Sequence, residues 1–164
     1  GLHLTIHAGE WEGADNVRHA VEVLNAERIG HGVRAIEDSE VVRLVREQDV
    51  ALEVCPTSNV HTGATASLAE HPFPLFLQLG MRLTLNTDNR LMSRTTMTEE
   101  YQVAAEHFGC DLDQLETLSI NAMKSAFAHY SERRRFIYEC IKDPIATLRR
   151  ELDLPPRVVY EERR

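Results

Sequence analysis

Four clusters of reactive side chains stand out along this 164-residue chain. They are His7-Ala8-Gly9-Glu10, Gly30-His31-Gly32, Cys55-Pro56-Thr57-Ser58-Asn59 and Thr87-Asp88-Asn89. His7 and Asp88, one imidazole and one carboxylate, are ligand types that suit zinc. Glu10 follows His7 by three residues across Gly9, which lets the chain turn tightly. A carboxyl group near a metal-activated water is well suited to moving protons. His31 is a second acid/base or water-orienting candidate. Each residue also has a plainer reading. An H-x-x-E pair is common, His31 between glycines suits a turn, and Asp88 suits a helix cap. Cys55 beside Pro56 suits a small buried side chain. His3, His19, His61, His71, His107 and His129 read as surface or packing residues. Of these, His61 alone falls on the side where the clusters gather. The chemical reading rests on the joint placement of the clusters.

That placement comes from the elements between them. Leu4 to His7 reads as a strand, followed by a helix with Val17, Ala20, Val21 and Leu24 on one apolar face. A short strand around Arg28-Ile29-Gly30 ends at His31. Asp38 then caps a helix carrying Val41, Val42, Leu44 and Val45. Ala51 to Val54 is a third strand, stopped by Cys55-Pro56 and followed by a loop. A helix near Phe73 to Leu79 closes at Gly80. Arg82 to Thr87 is the fourth strand. Four β/α units in series predict a parallel sheet, as half of an eight-unit barrel or a small open α/β sheet. All four clusters fall at the C-terminal ends of strands, the face where such barrels build active sites. Alternation puts His7 with Thr5, and Asp88 with Asn86 and Thr84, opposite apolar faces of Leu4 and Ile6 or Leu83 and Leu85. Capping boxes at Thr96/Glu99 and Asp111/Gln114 open two further helices. A long helical stretch from about Ser131 to Leu152 is bent at Pro144.

Composition narrows the function. A net charge of -8 argues against a nucleic-acid binder but not against an uncharged small molecule. No apolar run reaches the roughly 18 residues of a membrane helix. Three widely spaced cysteines without a C-x-x-C motif point to a reducing, cytoplasmic setting. The opening Gly1-Leu2-His3, without Met and straight into a strand, suggests a piece of a longer chain. Open outer strands of a half barrel predict self-association.

Taken in order, the four clusters resemble the adenosine deaminase family. The carrying segments are His7-Ala8-Gly9-Glu10, Arg28-Ile29-Gly30-His31-Gly32-Val33, Leu52 to Asn59 and Leu85-Asn86-Thr87-Asp88. Thr62-Gly63-Ala64 and the run Ile120 to Phe127 add to the likeness, which covers nearly the whole chain. The resemblance implies units five to eight of a (β/α)8 barrel up to about residue 95, C-terminal helices over about 96–154, and a polar tail over 155–164. It implies one Zn2+ per intact catalytic domain, bound here by His7 and Asp88. It implies Glu10 as proton donor to N1 of the purine, and His31 as the group that positions or deprotonates the zinc-bound water. The implied reaction is hydroxide attack at C6 of adenosine or 2'-deoxyadenosine, releasing ammonia and inosine in purine salvage. Asn89 stands where the family often has an acid, and its amide suits donation to N7. Asp88-Asn89 followed by Arg90-Leu91-Met92-Ser93 resembles bacterial members. The family's His-x-His pair is absent from these residues, so the isolated chain is expected to be inactive. The alternatives are a related deaminase of adenine or a modified purine nucleoside, and a structural module without activity.

Overall fold

The computed structural model describes residues 2–157. The four apolar runs form β1 (Thr5–Ala8), β2 (Arg28–His31), β3 (Ala51–Val54) and β4 (Leu83–Leu85). They pair in sequence order, every neighbour parallel, as one four-stranded sheet. Parallel neighbours need a crossover, and helices supply it. α1 (Ala14–Glu22) lies between β1 and β2, α2 (Ser39–Glu47) between β2 and β3, and α3 (Pro56–His61) and α4 (Phe73–Gln78) between β3 and β4.

Register explains the two faces. Ile6, Ile29, Leu52 and Leu83 sit side by side across the sheet. Ile29, Leu52 and Leu83 are fully buried with Val17, Val41, Val45, Phe73 and Phe76 from the helices. His7, Gly30, Glu53 and Thr84 form the neighbouring row, on the other face because strand side chains alternate. Thr5 Oγ1 donates to Glu53 Oε2 at 2.6 Å, reaching across β2. Gly30, with no side chain, leaves the long Glu53 side chain room to cross β2 on this polar face. The architecture is that of four β/α units of a barrel plus C-terminal helices.

Local structure departs from the sequence expectation at several points. Leu24 lies beyond α1 and is exposed, because the helix ends at Glu22 and only Val17, Ala20 and Val21 face the core with Ala14. Leu4 precedes β1 and is also exposed. The expected loop after Cys55 begins as α3, because Pro56 in the first turn presets its φ and needs no donor there. β4 is shorter than residues 82–87, and Thr87 and Asp88 lie past its end. Asp38 caps α2, and Gly80 follows α4 at φ +68°.

After α5 (Arg90–Ser93) come α6 (Met97–Glu106) and α7 (Leu112–Ser125), each opened by a complete capping box. α8 (Tyr130–Phe136) runs through a π-helical turn, Ile137–Lys142, into α9 (Asp143–Glu151). The expected bend at Pro144 is thus a π segment just before it, where proline's missing N–H disturbs the ladder. Arg149 of α9 pairs with Asp113 of α7, and Arg157 reaches Glu116 at 3.1 Å. The start of the expected polar tail is therefore tied to α7, while 158–164 lie outside the described residues. α7 also covers the outer strand β4, where Asn121 Nδ2 donates to the Leu83 carbonyl at 3.2 Å. No helix among the described residues is long and apolar enough to cross a membrane.

Candidate active site

The four clusters meet in one place, and each arrives by a different local device. His7 is carried by β1, and its ring lies across Gly30 of β2. A Cβ at Gly30 would sit 3.1–3.3 Å from the ring atoms of His7, so the absent side chain makes the imidazole's room. Gly9 then turns the chain at φ +66°, which places Glu10 back over the end of β2.

His31 ends β2. Strict alternation would send it to the same side as Ile29, toward the helices. Its backbone instead takes φ +65°, a left-handed conformation costing about 1–2 kcal/mol for a non-glycine residue. The ring thereby meets His7, with centroids 5.2 Å apart, while staying almost wholly buried. Asp88 is also left-handed, at φ +55°. Ser58 Oγ of α3 donates to its Oδ2 at 2.7 Å. The cap of α5 is Asn89, whose Oδ1 accepts from the Leu91 and Met92 amides at 3.1 and 3.2 Å. Asp88 is thus free of the capping role that its type also suited.

Ligand atoms of His7, His31 and Asp88 lie within 4.8 Å of one another. This is the one group of three or more such side chains able to hold a metal among the described residues. Two imidazoles and a carboxylate fit the nitrogen and oxygen preferences of catalytic zinc. Glu10 stands at the rim, its Oε2 3.4 Å from His31 Nε2 and its Oε1 accepting from Thr62 Oγ1 at 3.1 Å. Burial pushes the His31 pKa down, against the opposing pull of Glu10 and Asp88, so a neutral imidazole is favoured at pH 7.

Behind His31 lies a polar chain. Its Nδ1 is 3.0 Å from Asn59 Nδ2, and Asn59 Oδ1 is 3.3 Å from His71 Nε2. His71 Nδ1 accepts from the Phe73 amide at 3.1 Å. Asn59 and His71 are both buried. α3, which supplies Ser58 and Asn59, is itself held by Glu100 of α6. The fully buried Glu100 carboxylate accepts from Thr57 N at 3.2 Å and Thr95 Oγ1 at 2.8 Å.

His7, Glu10, His31 and Asp88, singled out from sequence, come together. Asn89 lies beside them in an exposed turn, with its oxygen committed to α5. Cys55 is buried, its thiol pushed well up by desolvation, which suits packing and not ligation. His61 is exposed and outside the metal-holding group. The sequence marks Ser58 and Asn59 as part of a strand-end cluster and Thr62 as part of a family-like segment without giving any of them a partner; it leaves Glu100 unmarked, and His71 reads there as a surface or packing residue. The partners of Ser58 and Asn59, Asp88 and His31, are 30 and 28 residues away, and no periodicity links them.

The sequence model of the adenosine deaminase family matches residues 1–143. Adenosine deaminase 1 of Streptomyces coelicolor is 46% identical over 160 residues, which cover 91% of this chain and 40% of that relative. A crystal structure of an adenine deaminase from Arthrobacter aurescens superposes with a TM-score of 0.85 at 31% identity, covering 89% of this chain and 44% of that one. A zinc-bound amidohydrolase from Burkholderia ambifaria shares the fold, with a TM-score of 0.83 at 23% identity over 93% of this chain and 43% of that one. The chain spans less than half the length of these proteins.

Proposed function

Because the chain belongs to the adenosine deaminase family, we propose that it carries one half of a zinc-dependent site for hydrolytic deamination of adenosine to inosine and ammonia. The observation that carries this reading is the convergence of His7, His31 and Asp88 within 4.8 Å, with Glu10 3.4 Å from His31. The 164 residues correspond to units five to eight of an eight-unit barrel and its C-terminal helices. A His-x-His pair, absent from this sequence, completes the site from residues outside it.

His7 and Asp88 would hold the zinc. When bound, zinc supplies Lewis acidity that brings a water's pKa to about 7. Asp88 keeps its aim through the Ser58 hydroxyl. Glu10, steadied by Thr62, delivers a proton to N1 of the purine. His31 is the neighbouring group that orients or takes a proton from the attacking water. Asn89 commits its Oδ1 to α5, and its Nδ2 is the amide donor proposed for N7. The free cysteines agree with a cytoplasmic setting. The outer edge of β1 is where self-association is expected.

A second reading, adenine as substrate, is favoured by the likeness to the Arthrobacter aurescens adenine deaminase. Both readings meet one experiment. The chain is assayed for zinc binding and ammonia release, alone and fused to the N-terminal half of the Streptomyces coelicolor relative. Zinc binding by both, turnover by the fusion alone, and its loss in Glu10→Gln are expected. A fusion that binds no zinc refutes the site, and a preference for adenine over adenosine refutes the substrate. Full turnover by the unfused chain refutes its incompleteness.

A further inference from the structure

The chain of contacts behind His31 has a direction, and its direction starts at a group that cannot be reversed. The Phe73 backbone N–H is a donor only, so His71 Nδ1 must accept from it at 3.1 Å. Burial pushes the His71 pKa down to about 4, so the ring is neutral near pH 7 and carries its one proton on Nε2. That N–H meets an oxygen, Asn59 Oδ1 at 3.3 Å. With Oδ1 so engaged, the other end of the Asn59 amide is Nδ2, a donor, 3.0 Å from His31 Nδ1. His31 Nδ1 therefore accepts, and the proton of a neutral His31 resides on Nε2. That atom faces Glu10 at 3.4 Å.

We propose that Asn59 and His71 are positioning residues that lock His31 as its Nε2–H tautomer, through a one-way chain of hydrogen bonds anchored on the Phe73 amide. His31 then meets the His7–Asp88 pair as a hydrogen-bond donor and not as a third nitrogen ligand, which selects the water-orienting role over the proton-accepting one. A metal binds a bare ring nitrogen. The bare nitrogen of His31 is occupied by Asn59, and the other carries the proton. This resolves the grouping of three potential ligands into two ligands and one donor. It also gives a reason for the left-handed backbone at His31, which lets one ring span from Asn59 to Glu10. The proposal rests on the deaminase-site reading only for what His31 faces. The tautomer itself does not depend on that reading.

The test is long-range proton–nitrogen NMR of the histidine rings of the chain, first without metal. His31 and His71 are both expected with Nδ1 bare and Nε2 protonated. Asn59→Asp replaces the amide donor by an acceptor and is expected to move the His31 proton to Nδ1. His71→Leu removes the anchor, frees the Asn59 amide to turn, and is expected to leave His31 exchanging between tautomers. A wild-type His31 protonated at Nδ1 overturns the proposal, and this measurement needs no variant that folds. An unchanged Nε2–H pattern in both folded variants overturns it as well. Zinc is then titrated into the wild type. Shifts at His7 with the His31 Nε2 proton retained support a donor role, and loss of that proton overturns it. Failure of the chain to bind zinc leaves the tautomer assignment standing, since the tautomers are read before zinc is added, and the metal-site reading is refuted if the fusion binds none either.

Discussion

Replacing Gly30 by alanine should weaken zinc binding while leaving the fold intact. The added methyl would stand 3.1 Å from His7 Cγ, 3.2 Å from Cδ2 and 3.3 Å from Nδ1. Ordinary contact begins near 3.4 Å, so the ring must yield by a few tenths of an ångström. Zinc–ligand distances are held to within about 0.2 Å. A displaced or tilted imidazole therefore gives up part of its bond. Changes beside a ligand typically cost about 10–100-fold in metal affinity, equivalent to about 1.4–2.8 kcal/mol. The effect on folding has two parts of opposite sign. The alanine chain loses less entropy on folding, which stabilises by about 0.4–1 kcal/mol, and the crowded ring offsets some or all of it. The assay is zinc titration against a competing chelator, beside urea denaturation of the metal-free protein. The expected outcome is a clear loss of affinity with a denaturation free energy within about 1 kcal/mol of wild type. A folded Gly30→Ala protein that binds zinc as tightly as wild type would refute the claim that Gly30 exists to seat His7.

Three further outcomes are expected. Ser58→Ala removes the 2.7 Å bond to Asp88; freed to rotate, the carboxylate should hold zinc about tenfold more weakly, read by the same titration. Glu100→Gln turns one of the two buried carboxylate oxygens, each of which accepts one hydrogen bond, into an amide NH2. It should destabilise the fold by about 1–3 kcal/mol, and an unchanged urea midpoint would contradict the role of Glu100 in holding α3. Stability should also fall in acid through His71, whose folded pKa of about 4 lies below its unfolded value of about 6.5. Its neutral form is bound by the fold, so its contribution is complete above about pH 6.5 and is lost as pH drops toward 4, by up to about 3 kcal/mol. Urea titrations at neutral and acid pH should show this slope in wild type and a smaller one in His71→Leu.

The sequence by itself determined the elements and the chemical types. Apolar runs bounded by Pro, Gly and polar clusters gave four strands within a residue or two of their observed ends. Capping residues at Asp38, Thr96 and Asp111 located helix starts correctly, because a cap is satisfied within a few residues of itself. His7, Glu10, His31 and Asp88 were legible because strand ends in a parallel sheet gather on one side. Tertiary structure decided the aim of each group. Alternation says nothing of a left-handed His31 or Asp88, since such backbone persists only where surrounding contacts hold it. The space left by Gly30, the hold of Ser58 on Asp88 and the line from Phe73 through His71 and Asn59 to His31 all join residues distant in sequence. Those contacts exist because packing the helices on one face of the sheet places α3 against the ends of β2 and β4. Hydrophobic pattern specifies that packing as a whole and leaves each polar partner to be found in three dimensions.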